Sequence, residues 1–166
     1  MEMANKKPVE ETGIPEDMTR EQEYNLLEGL LKAASFTEKL TPVRIERDGQ
    51  HMFTFHVHGL SEKDKMDAYK KATTYMPNPA GKHLPQIEKD TPNELYRSYL
   101  IFLATSEDDQ QKIWGNKELK QQLNVLRSAE TIDFLLLAGE KDAVVDLIAE
   151  LSGFGKQLTT EEFAKN

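Results

Sequence analysis

The sequence predicts a mainly α-helical fold with a small antiparallel β-hairpin, an α+β domain rich in helix. Three observations predict it. Apolar residues recur at helical spacing through most of the chain, in runs bounded by capping residues and glycines. One stretch, "VRIERDGQHMFTFHV" at 43–57, alternates instead around Asp48-Gly49, the strongest short hairpin signal. The 166 residues are also enough for one core without a covalent or metal staple. The expected organisation is a flexible leader over 1–18, a single compact helical domain over 19–155 with the hairpin at 43–58, and a tail over 156–166.

The leader carries Pro8, Gly13 and Pro15 among charges, with no apolar period. Thr19 and Gln22 have capping-box spacing, and Tyr24, Leu27, Leu30, Leu31 and Ala34 follow at helical intervals. Gly29 inside that helix costs about 1 kcal/mol against Ala, which points to a close neighbour needing the space. Pro42 opens the extended region, where Val43 and Ile45 point one way. On the second arm, alternation puts His51, Phe53, Phe55 and Val57 on one face and Met52, Thr54, His56 and His58 on the other. Ser61 and Asp64 cap a helix expected to reach Met76, with Met66, Tyr69, Thr73 and Met76 as its inner stripe and Ala68 and Ala72 beside them. Residues 77–90, "PNPAGKHLPQIEKD", hold three prolines and a glycine and read as a loop.

Beyond it every segment reads as helix. Thr91-Pro92-Asn93-Glu94 combines a cap, a proline at the first helical position and a reciprocal glutamate. The following "LYRSYLIFLA" is apolar nearly all round and is expected to be the most buried helix. Ser106 and Asp109 cap a short helix to Trp114, stopped by Gly115, and Asn116 caps the next, with Leu119, Leu123 and Leu126 on one side. Ser128 caps "AETIDFLLLA", and Gly139 alone separates it from "EKDAVVDLIAEL", so 129–138 and 140–151 read as a helical hairpin. Phe53, Phe55, Leu100, Phe102, Leu135 and Ile148 are the expected core. Tyr96, Trp114, Phe134 and Phe154 lie near helix ends, where they either complete that core or line a groove for an apolar helix of a partner.

Residues that could carry chemistry are sparse. Three of the four histidines, His51, His56 and His58, fall within eight positions, and His56 with His58 could give one ion two ligands. A catalytic zinc needs a third protein ligand and an open position, and the chain has no HExxH and no cysteine. The plainer reading is a strand with one wet face, since Phe53, Phe55 and Val57 supply the buried one. His83 sits in the proline-rich loop, tied to none of the others. "AGKH" at 80–83 fails twice as a phosphate loop, with Met76 where glycine is needed and His83 where Ser or Thr is needed. Asp64, Glu94, Glu107 and Asp108 fall in helix first turns, where the dipole favours them. No Ser–His–Asp arrangement can be assembled from sequence order. No catalytic, cofactor-binding or metal site is expected, and no cofactor.

Net charge is −8 and both ends are acidic: residues 1–41 carry five basic and nine acidic groups, and 128–166 carry three and eight. Lacking a basic stripe to release counterions, the chain is not expected to bind nucleic acid. No apolar run approaches the ~20 residues of a membrane span, and "FLLLA" at 134–138 is only core-sized. The N-terminal "MEMANKKPVEETG" lacks the apolar stretch of a signal peptide, and the lack of cysteine fits a reducing cytoplasm. The hairpin edge invites strand pairing between subunits, a homo-oligomer that histidine protonation near pH ~6.5 would loosen.

The order of these features resembles a known family. A hairpin ending in "FTFHVHGLSEKDKMDAYKKAT", a proline-rich loop, "NELYRSYLIFLATS", and then "IWGNKELKQQLNVLRSAETIDFLLLAGEKDAVVDLIAELSGFG" are similar to the XkdN-like tail assembly chaperones of Gram-positive phages and prophages. The likeness covers roughly residues 40–155 and is one of layout, carried best by Phe53–Ala72 and the closing "LLLAGE…DLIAELSGF". It implies a non-enzymatic protein of the host cytoplasm that binds the tape measure protein, keeps it soluble while the tail tube assembles, and is not expected in the mature virion. It also implies a frameshifted long form, for which Ala164-Lys165-Asn166 is a candidate site if encoded as A AAA AAC. Cargo contacts are expected at exposed apolar or acidic positions of the C-terminal helices, with no residue singled out. The alternatives are a structural tail or head–tail connector subunit retained in the virion, and a metal-dependent enzyme using His56 and His58.

Overall fold

The computed structural model describes the backbone of residues 16–155 and the side chains of residues 25–155. Residues 1–15 of the leader expected over 1–18, the tail over 156–166 and the Ala164-Lys165-Asn166 terminus lie outside the described residues, as do the side chains of Thr19, Gln22 and Tyr24. Contacts divide the chain into two units, Met1–Phe36 and Thr37–Asn166.

The first unit contains α1 (Glu16–Ala34). It begins three residues before the expected Thr19 cap, through Glu16 and Asp17, acidic residues that suit a helix first turn. Leu26, Leu27, Leu30 and Leu31 are exposed on it, and Glu28 and Lys32 pair across one turn at 2.7 Å. The neighbour expected at Gly29 is not found among the described residues, where a Cβ built there meets nothing within 4 Å.

The second unit opens on the hairpin. β1 (Thr41–Arg47) and β2 (Gln50–Val57) pair antiparallel, joined at Asp48 (φ 51°) and Gly49 (φ 75°). Both residues are left-handed, the turn whose twist matches the strands and which Asp-Gly favours. Val43 faces Phe55 and Ile45 faces Phe53, but Glu46 then faces His51, so the register steps past Met52. This bulge breaks the strict alternation expected of β2. His51 leaves the Phe53 face, is exposed, and meets Thr54 Oγ1 at 2.7 Å.

The hairpin is not an isolated ribbon. At its end His58 N–H donates to Ala104 O, and Ser106 N–H donates to His56 O, each at 2.8 Å. A bridge joins Val57 to Thr105. The outer edge of β2 beside His56 is therefore closed by the chain itself, which removes it as the edge expected to pair between subunits.

α2 (Glu62–Ala72) carries the expected Ser61–Asp64 capping box, but it stops at Thr73 rather than near Met76. Thr73 turns its hydroxyl to Tyr69 O (2.7 Å) and to Thr91 Oγ1 (2.8 Å). Residues Thr74–Met76 form β3, which pairs antiparallel with β4 (Ile87–Asp90), so the expected loop over 77–90 is mostly the tip and second arm of another hairpin. The inner stripe of α2 is also rotated: Ala68 and Ala72 are buried, while Met66 and Tyr69 are exposed. Small residues suit that face because α2 packs directly on the next helix.

α3 (Asn93–Ala104) is that helix, and it also contacts the two C-terminal helices. Its start carries no side-chain cap: the capping position falls on Pro92 rather than on the expected Thr91, whose hydroxyl meets that of Thr73. Ser106 opens α4 (Glu107–Asp109), which widens into a π-turn over Gln110–Trp114 closed by Gly115 N–H to Gln110 O at 2.7 Å. Asn116 caps α5 (Lys117–Leu123), which ends at Asn124 in the left-handed region (φ 54°). That stop throws Leu126 out of the expected stripe, and it is 90% exposed. α6 (Ser128–Leu135) and α7 (Ala138–Leu151) meet at Leu136-Leu137 rather than at Gly139, which lies in the first turn of α7. The Glu140 carboxylate accepts the Leu137 N–H at 2.7 Å, and this fixes the corner.

The core gathers Ile45, Phe55, Val57, Ile101, Trp114, Ile132 and Ile148, with Phe53, Leu100, Phe102 and Leu135 packed against it. All six expected core residues lie in or against this cluster. Trp114 is fully buried, its ring edge-on to Phe55 at 5.1 Å and to Phe53 at 6.1 Å. Its N–H donates to Thr105 Oγ1 at 2.9 Å. Trp114→Ala is expected to cost about 3–5 kcal/mol through lost burial and a cavity. Urea unfolding checks this, and a cost near zero would contradict the placement of the ring. Gly59 sits where a Cβ would collide with the Leu151 carbonyl, whereas Gly29 is open. Gly59→Ala is therefore expected to lower the unfolding midpoint, and Gly29→Ala to stabilise α1 by about 1 kcal/mol, read as helicity by circular dichroism.

Candidate functional site

The three clustered histidines are drawn to different tasks. His51 bonds within its own strand. The His56 ring lies 2.9 Å from Asp109 Oδ2, which also accepts the His56 backbone N–H at 2.8 Å. The His58 ring faces Gly59 O at 2.8 Å, and in the distant tip loop a Cβ on Gly81 would meet the His83 ring at 2.8 Å. Among the described residues no group of three or more His, Asp or Glu side chains is placed to hold a metal ion.

Asp109 thus acts as a clamp from α4 onto β2. Burial pushes its carboxyl up, but the hydrogen bonds from the His56 ring and backbone and from Ser106 outweigh that and hold it below the usual aspartate range. A lowered folded-state value means that the stabilisation is complete above the unfolded aspartate range and is lost as pH falls through the folded value. Wild type is expected to melt above Asp109→Asn near neutral pH, with the gap closing on acidification. A melting gap that persists undiminished through the acid range would contradict the clamp.

Two further polar links hold the C-terminal helices, and pattern reading missed both. Arg47, at the end of β1, donates Nε and Nη2 to the two Glu140 oxygens at 2.9 and 2.7 Å, and Nη2 also to Leu135 O at 2.7 Å. These bonds hold Glu140 below the usual glutamate range against the opposing effect of burial. Lys141 is buried, with Nζ donating to Glu94 O at 2.9 Å and to Asp133 Oδ1, which also accepts from Ser98 Oγ at 3.2 Å. A buried ammonium is tolerated only with such partners, and here it fastens α7 to α3 and α6. Nothing in the "EKDA" stretch signals this, because Lys141 reads as an ordinary solvated residue of a first turn.

Beside these polar links, apolar side chains stand exposed at several places. Of the four aromatic residues at helix ends, Trp114 is core and Tyr96 is half-buried against Tyr69 (6.2 Å, edge-on). Phe134 is 58% exposed, beside the exposed Leu137, and Phe154 is exposed with the Lys65 ammonium 4.4 Å above its ring. The arm formed by β3 and β4 is exposed at every residue and carries Tyr75, Met76 and Ile87, with Leu84 near its tip. A groove of about 260 Å³ runs between β1 and α7 over Val43, Ile45, Ala143, Val144 and Leu147, rimmed by Arg44, Glu46 and Glu140. In the other unit, Leu26, Leu27, Leu30 and Leu31 of α1 stand exposed together. Among the described residues no helix is long and apolar enough to cross a membrane.

The geometry thus defines an α+β, mostly helical protein that presents apolar surface. The family model described as phage XkdN-like tail assembly chaperone protein, TAC, matches residues 27–165. The chain belongs to this family of phage tail assembly chaperones. A crystal structure of the protein YqbN is similar over 70% of this chain and 87% of that one, at 14% identity and a TM-score of 0.42. A search of curated proteins gave no match.

Proposed function

We propose that the protein acts without catalysis in the host cytoplasm, binding the tape measure protein and keeping it soluble until the tail tube forms around it. It then leaves the assembly and is absent from the mature virion. The observation that carries this reading is the family match across residues 27–165. Two physical features support it. Apolar side chains stand exposed on α1, on the β3–β4 arm and at Phe134 and Leu137, as a surface that meets apolar helical cargo requires. The net charge of −8 keeps a complex with such cargo from associating further.

Co-expression with the neighbouring tape measure gene tests the reading. The tape measure protein is expected to stay in the soluble fraction and to co-purify with this chain, and to precipitate when expressed alone. A tape measure protein equally soluble without this chain would sink the proposal. Mass spectrometry of purified particles separates it from a structural tail or connector subunit, because a persistent stoichiometric band would assign the protein to the virion.

A further inference from the structure

The leucine ridge of α1 has the character of a docking helix. At 3.6 residues per turn, Leu26, Leu27, Leu30 and Leu31 share one side of the helix with Gly29 at its border, while Glu28 and Lys32 lie opposite and pair with each other. The four leucines are 54–63% exposed. Gly29 weakens the helix, and among the described residues a Cβ there would meet nothing within 4 Å, so none of them gains packing from the missing side chain. A helix in a protein gains most of its stability from packing an apolar face. The family match begins at residue 27 and so takes in Leu27, Leu30 and Leu31, although they lie outside the larger unit.

Charge selects the occupant. α1 carries five acidic residues, Glu16, Asp17, Glu21, Glu23 and Glu28, against Arg20 and Lys32. Pairing α1 with a second copy would juxtapose two acidic helices on chains of net charge −8, whereas a basic partner is attracted to the same surface. We propose that the α1 ridge is the docking site for an amphipathic helix whose apolar stripe is flanked by lysine or arginine. Resting on the function proposed above, the inference places this helix in the tape measure protein. Gly29 then lets the partner's backbone approach closely.

The test uses the full chain and two synthetic amphipathic helices with the same leucine stripe, one flanked by lysines and the other by glutamates. Fluorescence anisotropy is expected to give at least about tenfold tighter binding of the lysine form, weakened by salt. Leu27→Asp with Leu31→Asp should abolish this binding while Leu126→Asp, an exposed leucine outside the surface proposed to meet cargo, leaves it intact. Thermal unfolding checks that each variant retains its fold. Equal binding of both peptides, or binding unchanged by the double substitution, overturns the proposal. So does sedimentation showing a wild-type dimer that the double substitution converts to monomer, since the ridge would then belong to a second copy. In co-expression, a double variant that still keeps the tape measure protein soluble removes this inference and leaves the proposed function standing. A wild type that fails there removes the proposed function, and the peptide titration alone then decides the ridge.

Discussion

The indole of Trp114 is the point on which the larger unit turns. It is fully buried, and its one polar atom needs a partner that survives burial. Thr105 supplies it, accepting the indole N–H while its own hydroxyl donates to Ile101 O at 2.7 Å. Thr105 is also the last residue of the α3 ladder and the bridge to Val57, so one residue joins the hairpin, the central helix and the π-turn. The π-turn has a function in this frame. Its wider bore carries the chain from Asp109, clamped to His56, round to Trp114 over Phe55, and Gln110 within it donates to Phe102 O at 2.8 Å. Arg47 and Lys141 add links from this knot's neighbours to the C-terminal helices.

How much of this was legible in the sequence depends on the range of the interaction. Asp48-Gly49 and the alternation of Val43 and Ile45 specify the first hairpin locally, and the Ser61–Asp64 box specifies the start of α2. The misreadings lie where a distant partner overrides a local signal. Thr91 looks like a helix cap, but its hydroxyl is held by Thr73, eighteen positions earlier. Thr74–Met76 read as helix because the 3.6 period extends through Met76, yet Ile87–Asp90 offers a strand that local pattern cannot weigh. The bulge at Met52 is invisible to a period of two, and it removes His51 from the face where alternation puts it. Glycine misled at the last corner, where Glu140 rather than Gly139 sets the break between α6 and α7.

The candidate site was less legible than the fold, for a related reason. Histidines and carboxylates draw the eye as chemistry, but His56 and Asp109, and Glu140 with Arg47, are consumed in holding elements together. What remains for a partner is shape and apolar area, which no motif encodes. The C-terminal helices do expose Phe134 and Leu137, where cargo contacts were expected, but Tyr75, Met76 and Ile87 became visible as surface only once the second hairpin was seen. The leucines of α1 are the reverse case. Their spacing was plain in the sequence, and the structure added that they are exposed. On the reading proposed above, two features have separate tasks: a core locked by Trp114, Asp109 and Lys141, and exposed apolar side chains left for cargo.

That separation is the central claim, and hydrogen exchange on the full chain with and without tape measure protein tests it most directly. The account predicts slowed exchange over residues 25–34 of α1 on binding, with the hairpin of β1 and β2, α3 and the π-turn unchanged because they are already protected. Binding that instead alters exchange across Phe55, Ile101 and Trp114 while leaving α1 untouched would contradict it.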